Sequence, residues 1–289
     1  FKRLLEPSHH NSYLFLSLMK YKMLVLDMDD TLLTDDHRIS EKNKSAIAQA
    51  QEAGVKVVLA SGRPTPAMLS YAKELGLHQN NSYILAYNGA VILDMTTEEV
   101  LFEQSISKED IHALYDFSQE NGVHIITYLD GNIIASSESP YIDIETHITG
   151  MPLIKVDDFK KAVDRDSVKC IMLDEPERLV EVMAKLKAQI NHKSITTSKP
   201  FFLEIMQLGI DKAASLDRLA QKLGISSDEI IAVGNASNDL SMIQYAGLGV
   251  WVDNVEDALR HHADVVVASN NEDGVAEVIE RFILEETLV

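Results

Sequence analysis

Only one cysteine, Cys170, occurs among the 289 residues. No disulfide can therefore form within the chain, and such usage fits a reducing cytosol. Set between Ser167-Val168-Lys169 and Ile171-Met172-Leu173, it reads as a buried strand residue and not as a nucleophile. Cations are scarce as well: 26 Lys and Arg stand against 45 Asp and Glu, a formal charge of −19. A surface so acidic repels phosphate backbones and anionic lipid, so neither nucleic acid nor a membrane is an expected partner. An anionic ligand would need local cations or backbone N–H groups. No apolar run approaches the roughly 18 residues of a membrane helix, and no repeat or low-complexity segment is visible. What the chain does have is 46% hydrophobic residues, enough to bury a substantial core. Its length allows one large or two medium domains. A cytoplasmic location is expected.

At the N-terminus, Lys2 and Arg3 precede Tyr13-Leu14-Phe15-Leu16-Ser17-Leu18, a faint likeness to a signal peptide without a small-x-small cleavage site. Residues 1–18 are expected to be an extension with no assigned function, Met19 or Met23 being a natural start for the fold. From Met23 short apolar runs alternate with helical stretches. Leu24–Leu26 leads to a helix from Glu41 to Ala53, with Ser40 as N-cap and Gly54 as stop. Val55–Ala60 and Tyr83–Tyr87 read as strands flanking a helix near Pro66–Leu75. The rhythm returns late: Asp211 caps a helix from Lys212 to Leu223, Ser226 and Glu229 form a capping box, and Ile230–Val233 is a strand. A helix over Asn238–Ala246 and short strands at Leu248–Val252 and Val265–Val267 follow. Between them the alternation is less regular, with a hairpin signal at Asp130-Gly131. The expected fold is α/β: a doubly wound, Rossmann-like parallel sheet core over 19–91 and 206–289, with an inserted α+β cap domain over 92–205.

Four motifs carry chemistry. Leu24-Val25-Leu26 runs into Asp27-Met28-Asp29-Asp30-Thr31, and in extended chain Asp27 and Asp29 face one side. Carboxylates beside a core strand are costly without a cation or hydrogen bonds; an Asp-rich turn is the competing reading. Ser61-Gly62-Arg63 follows the second strand, offering a hydroxyl and a glycine that lets backbone N–H groups approach an anion, or an ordinary turn. Lys212 begins a helix, where a cation is unfavourable unless an anion lies close; a solvated lysine is the alternative. Gly234-Asn235-Ala236-Ser237-Asn238-Asp239 places oxygen-bearing side chains after another strand, or simply caps a helix. In an open α/β sheet all four loops converge at the C-terminal strand edge, where ligands bind. Oxygen ligands there suit Mg²⁺, and the Lys and Ser suit phosphate.

These motifs, in this order, resemble the haloacid dehalogenase (HAD) superfamily. The large insertion, Tyr87-Asn88-Gly89-Ala90 and Phe202-Leu203-Glu204-Ile205 are similar to its Cof-type phosphatases, subfamily IIB with a C2-type cap. The resemblance implies a phosphatase acting on small phosphorylated metabolites (sugar phosphates, or nucleotide and cofactor precursors), with Asp27 as nucleophile and Asp29 as general acid and base, its protonation favoured by the neighbouring Asp27 carboxylate. Ser61, Gly62 and Lys212 would hold the phosphoryl group, with Arg63 and Asn88 on the substrate side. Mg²⁺ would be bound by Asp27, the Asp29 backbone carbonyl and Asn235. Asp239 would support the metal or Lys212 from behind, and Asn238 is a further candidate ligand. The cap would select the leaving group, with His124, Tyr128 and His147 as candidates.

Two positions depart from the family pattern. Asp30 stands where Gly is commoner, at a position without chemistry. Asn235 stands where the family has its metal-ligating Asp, and an amide brings no charge, so metal affinity should fall. Three readings follow: an active enzyme with a weaker Mg²⁺ site, an impaired relative that binds phosphorylated metabolites or a partner, or a shifted ligand set. A signalling receiver domain also uses an acidic pair, a Ser or Thr and a Lys. Its acidic residues would be adjacent, however, and no insertion would be needed.

Overall fold

The computed structural model describes residues 20–285; the expected extension over 1–18 lies outside them. The chain opens with β1 (Met23–Leu26), β2 (Lys56–Ala60), β3 (Tyr83–Ala86), β4 (Val91–Asp94) and β5 (Val100–Glu103). It then passes to β6 (His124–Leu129), β7 (Asn132–Ala135), β8 (Leu153–Lys155), β9 (Cys170–Leu173), β10 (Lys193–Lys199) and β11 (Phe202–Gln207). It returns as β12 (Ile230–Gly234), β13 (Leu248–Val252) and β14 (Val265–Val267).

Two sheets result. An eight-stranded sheet has the order β14-β13-β12-β1-β2-β3-β4-β5, parallel from β14 to β3 and antiparallel from β3 onward. A six-stranded sheet has the order β10-β11-β9-β6-β7-β8, with β7 and β8 its one parallel pair. The central parallel strands β1, β12 and β13 are apolar and buried along their whole length because both faces are covered. In β1, Leu24 and Leu26 join a core that includes Ala46, Ile47 and Ala50 of the helix Glu41–Glu52 and Val275, Ala276, Val278 and Ile279 of the helix Gly274–Ile279. Met23 and Val25 join the opposite core, with Leu216, Leu219 and Ala220 of the helix Lys212–Leu223. Strand order reverses at β1, between β2 and β12, so the loops after these strands open into one crevice.

The local signals act as their chemistry demands. Ser40 accepts the Asn43 N–H, Asp211 accepts the Ala214 N–H at 2.9 Å, and Ser226 with Glu229 closes the expected capping box. Asp130 and Gly131 take φ of 51° and 74° between the paired residues Leu129 and Asn132, the two-residue turn that matches strand twist. The chain leaves the large sheet later than the expected boundary at 91. Val91–Asp94 folds back antiparallel on β3, and Val100–Glu103 extends that edge, so sheet membership changes only after Glu103. The helix Pro140–Thr149 and strand β10 had no sequence expectation. The first is rich in Ile and Thr, poor helix formers, and depends on Pro140 at its start and the Ser139 cap. The second, Lys-Ser-Ile-Thr-Thr-Ser-Lys, is a polar edge strand without a continuous apolar face.

Gly131→Ala should lower stability by about 1–2 kcal/mol, the cost of a left-handed residue carrying a Cβ. Urea unfolding should show this as a lower midpoint with an unchanged slope.

Candidate active site

The Asp27 N–H donates to the Val233 carbonyl at 3.0 Å, extending the ladder between β1 and β12 by one residue. The chain then winds into a tight turn over Met28–Leu32, with Asp30 at a φ of 57°. That turn leaves Asp27 buried at the strand end and Asp29 more open at the crevice. Beneath Asp27 lies the Lys212 ammonium. Its Nζ donates to Asp27 Oδ1 at 2.6 Å, to Asp239 Oδ1 at 2.6 Å and to the Ala60 carbonyl at 2.9 Å. All three of its protons are thus engaged, and the loops after β1, β2 and β12 meet on one atom. Burial would push Lys212 down, but Asp239 and Asp27 together hold it above the ordinary lysine value. For Asp27, burial and then the Asp239 carboxylate outweigh Lys212 and raise the carboxyl to about 7.

Asp239 is fixed from two sides. Its Oδ2 accepts the N–H groups of Asn235 at 3.0 Å and Ala236 at 3.1 Å. Gly234 makes room for it, since a Cβ there would stand 2.6 Å from the Asp239 Cβ. Asn235 Oδ1 accepts from Thr31 Oγ1 at 3.1 Å, tying the acidic turn to the β12 loop.

On the other flank, Ser61 Oγ accepts the Arg63 N–H at 3.1 Å, and the Asn88 N–H donates to the Ser61 carbonyl at 2.8 Å. Arg63 reaches across to Asp29 with two parallel bonds, Nε to Oδ2 at 2.9 Å and Nη2 to Oδ1 at 2.6 Å. Burial works to raise Asp29, but the Arg63 bonds outweigh it and hold the carboxyl below the ordinary value. The expected protonation of Asp29 is therefore reversed, by the bidentate Arg63 guanidinium.

These side chains line one cavity of about 550 Å³ between the two sheets. Asp27, Asp29, Ser61, Gly62, Arg63, Asn88, Lys212, Asn235 and Asn238 are on its wall. Asp239, with none of its surface exposed, stands behind Lys212 and not on the wall. Of the candidates in the insertion, His124, Tyr128 and His147 are absent from the lining. His124 instead bonds Ser137 Oγ at 2.7 Å, and Tyr128 is buried with its hydroxyl on Glu145 at 2.6 Å. The insertion contributes Glu145, Lys169 and Glu204, which the sequence reading did not single out as site residues. The signal was there. Glu204 interrupts an apolar strand and Lys169 stands at the start of one, much as Asp27 stands at the end of one.

A family model described as haloacid dehalogenase-like hydrolase matches residues 24–279. The chain belongs to that family. A haloacid dehalogenase-like hydrolase of Bacteroides thetaiotaomicron has a crystal structure that superposes with a TM-score of 0.87 at 36% identity, covering 91% of this chain and 99% of the other. The HAD subclass IIB sugar phosphatase BT4131 superposes with a TM-score of 0.76 at 25% identity, over 90% of this chain and 98% of its own. In sequence, 5-amino-6-(5-phospho-D-ribitylamino)uracil phosphatase YcsE of Bacillus subtilis (strain 168) is 31% identical over 264 residues, 91% of this chain and 96% of YcsE. The likeness to these haloacid dehalogenase-like proteins spans both sheets, so the insertion is part of what is shared.

Lys212→Met should destabilise the fold by about 3–5 kcal/mol, because it strands the Asp27 and Asp239 carboxylates in the interior. Urea denaturation measures the loss, and removing Asp239 as well should recover part of it.

Proposed function

We propose that the chain is a phosphatase that hydrolyses monophosphate esters of small metabolites through an Asp27 phosphoryl intermediate, and that it works in a reducing cytoplasm. One observation carries this: the buried Asp27 carboxylate, at the C-terminal end of β1, is held through Oδ1 by Lys212 on the wall of the cavity. An ester bound with its phosphoryl group against Ser61 and the Gly62 backbone, drawn by the charge of Lys212, whose protons are already taken by protein acceptors, would present phosphorus to Asp27. Attack forms an Asp27–phosphorus bond and breaks the ester bond, and the leaving alkoxide takes a proton from Asp29. Asp29 then removes a proton from water, whose oxygen attacks phosphorus and releases Asp27 and inorganic phosphate.

Asp29 can carry that first proton only once Arg63 lets it go. An entering phosphate competes for the same guanidinium, and Arg63 is placed to exchange the carboxylate for the ligand. The names of YcsE and BT4131, a ribitylamino-pyrimidine phosphatase and a sugar phosphatase, support a small phosphorylated metabolite as substrate.

Among the described residues no group of three or more His, Cys, Asp and Glu side chains is placed to hold a metal. The donors beside Asp27 are nonetheless all oxygen, and Mg²⁺ commonly takes one or two carboxylates and fills its remaining positions with water and phosphate. Asp27, the Asp29 carbonyl and Asn235 fit that pattern and would hold it. When bound, Mg²⁺ would neutralise charge on the transferring phosphoryl group. Asp239 does not replace the missing carboxylate at 235, because it is fully buried behind Lys212 and off the cavity wall. This favours a weak site, and it keeps a second reading alive: a relative that binds phosphate esters without turning them over.

Hydrolysis of p-nitrophenyl phosphate with Mg²⁺ should be measurable and should fall by about 10³-fold or more in Asp27→Asn. No turnover by the parent, with activity appearing in Asn235→Asp, would establish the second reading. Calorimetric titration should also show Asn235→Asp binding Mg²⁺ about tenfold tighter or more, since site charge sets affinity.

A further inference from the structure

The acidic turn after β1 is held from a side that the chemistry above does not use. Asp29, at φ −67° and ψ 127°, and Asp30, at φ 57° and ψ 17°, have the dihedral angles of the two central residues of a type II turn. The second of these positions is left-handed and favours glycine, because any Cβ there meets a steric cost. This chain carries Asp at that position. Relaxation of Asp30 toward the right-handed region would rotate the peptide that joins it to Asp29, and the Asp29 carboxyl group would turn with it. The turn therefore needs an outside hold.

The loops after β13 and β14 supply one. Asn270, buried in the loop after β14, donates both side-chain N–H bonds, to the Leu33 carbonyl at 3.1 Å and to Asp35 Oδ1 at 3.1 Å. Asn271 Oδ1 accepts the Asp35 N–H at 3.1 Å, so the far end of the turn is fixed twice. The Asn270 backbone N–H donates to Asn254 Oδ1 at 3.1 Å. A backbone N–H can only donate, and this settles which way the Asn254 amide faces: oxygen toward Asn270, nitrogen away. That nitrogen donates to the Asp30 carbonyl at 2.7 Å. The Asn254 side chain is itself exposed, so its grip on Asp30 depends on the orientation that buried Asn270 imposes. Neither Asn254 nor Asn270 is on the cavity wall. They reach the site only through the turn.

We propose that Asn254, oriented by Asn270, is a positioning residue for Asp29: it holds Asp30 in the left-handed region and so keeps the Asp29 carboxyl aimed at the leaving oxygen. The dependence on Asn254 arises from Asp30, and a glycine there would relieve it. This rests on the reading of Asp29 as the group that protonates the leaving alkoxide.

A comparison of two leaving groups tests the clamp. A p-nitrophenolate leaves without a proton and an alkoxide needs one, and kcat/KM reports the steps through that departure. The aryl probe is p-nitrophenyl phosphate; the alkyl probe is whichever of glycerol 2-phosphate, glycerol 3-phosphate and glucose 6-phosphate the parent hydrolyses fastest. In Asn254→Ala, kcat/KM for the alkyl ester should fall about tenfold or more beyond any fall for the aryl ester. In the Asp30→Gly background the same substitution should change the two esters alike, to within about threefold. Thermal melting confirms that each variant is folded. Equal losses on the two esters in Asn254→Ala overturn the proposal, and so does a selective loss of the same size in the Asp30→Gly background. Urea unfolding reads the clamp without turnover: Asn254→Ala should lower the midpoint more in the parent than in the Asp30→Gly background, and equal drops overturn it. A parent that hydrolyses no phosphate ester while the urea coupling holds loses the phosphatase reading and keeps the clamp.

Discussion

The Lys212 ammonium is the constraint on which the rest of the site depends. It is fully buried and bonded to Asp27, Asp239 and the Ala60 carbonyl, so it draws the ends of β1, β2 and β12 onto one point. A buried charge is tolerable only when matched, and here one cation is shared by two carboxylates. Much local sequence follows from that arrangement. Gly234 has no Cβ because Asp239 fills the space, and Asp211 caps the helix that delivers Lys212. The N–H groups of Asn235 and Ala236 close on the second oxygen of Asp239.

The smaller sheet repeats the device on the opposite wall. Lys169, just before β9, and Glu204, within β11, are a matched pair, and Lys169 also touches the Gly62 carbonyl in the loop after β2. One buried lysine therefore organises the reacting end of the cavity, and the other ties the insertion to the loop beside it. The difference lies in completeness. Lys212 has spent every proton on the protein, whereas Lys169 has two protein acceptors and Glu204 Oε2 is buried without a partner.

The sequence made the parallel core legible because apolar β-branched runs alternate with well-capped helices. Ser40, Asp211 and the Ser226–Glu229 pair mark the starts of elements by chemistry that tertiary contacts do not override. Asp27 stood out for a related reason, a carboxylate where an apolar strand should continue. Lys169 and Glu204 are charged residues at or in apolar strands too, but they are 35 positions apart and only the fold brings them together at the cavity. Strand β10 was illegible because it is polar, and β4 and β5 were misplaced because local pattern does not say which sheet a hairpin joins. The Arg63–Asp29 pairing was hidden for another reason. Sequence gives the residues but not the bidentate geometry that lowers Asp29 instead of raising it.

Everything proposed for the chemistry passes through a covalent bond between Asp27 and phosphorus, so that bond is the most direct thing to measure. An acyl phosphate is reduced by borohydride to an alcohol, which converts the aspartate that carried it into homoserine. A turnover mixture quenched with borohydride, digested and sequenced by mass spectrometry should show homoserine at position 27, dependent on the presence of a phosphate ester. Steady hydrolysis with Asp27 unmodified, or reduction at a different aspartate, would contradict the account.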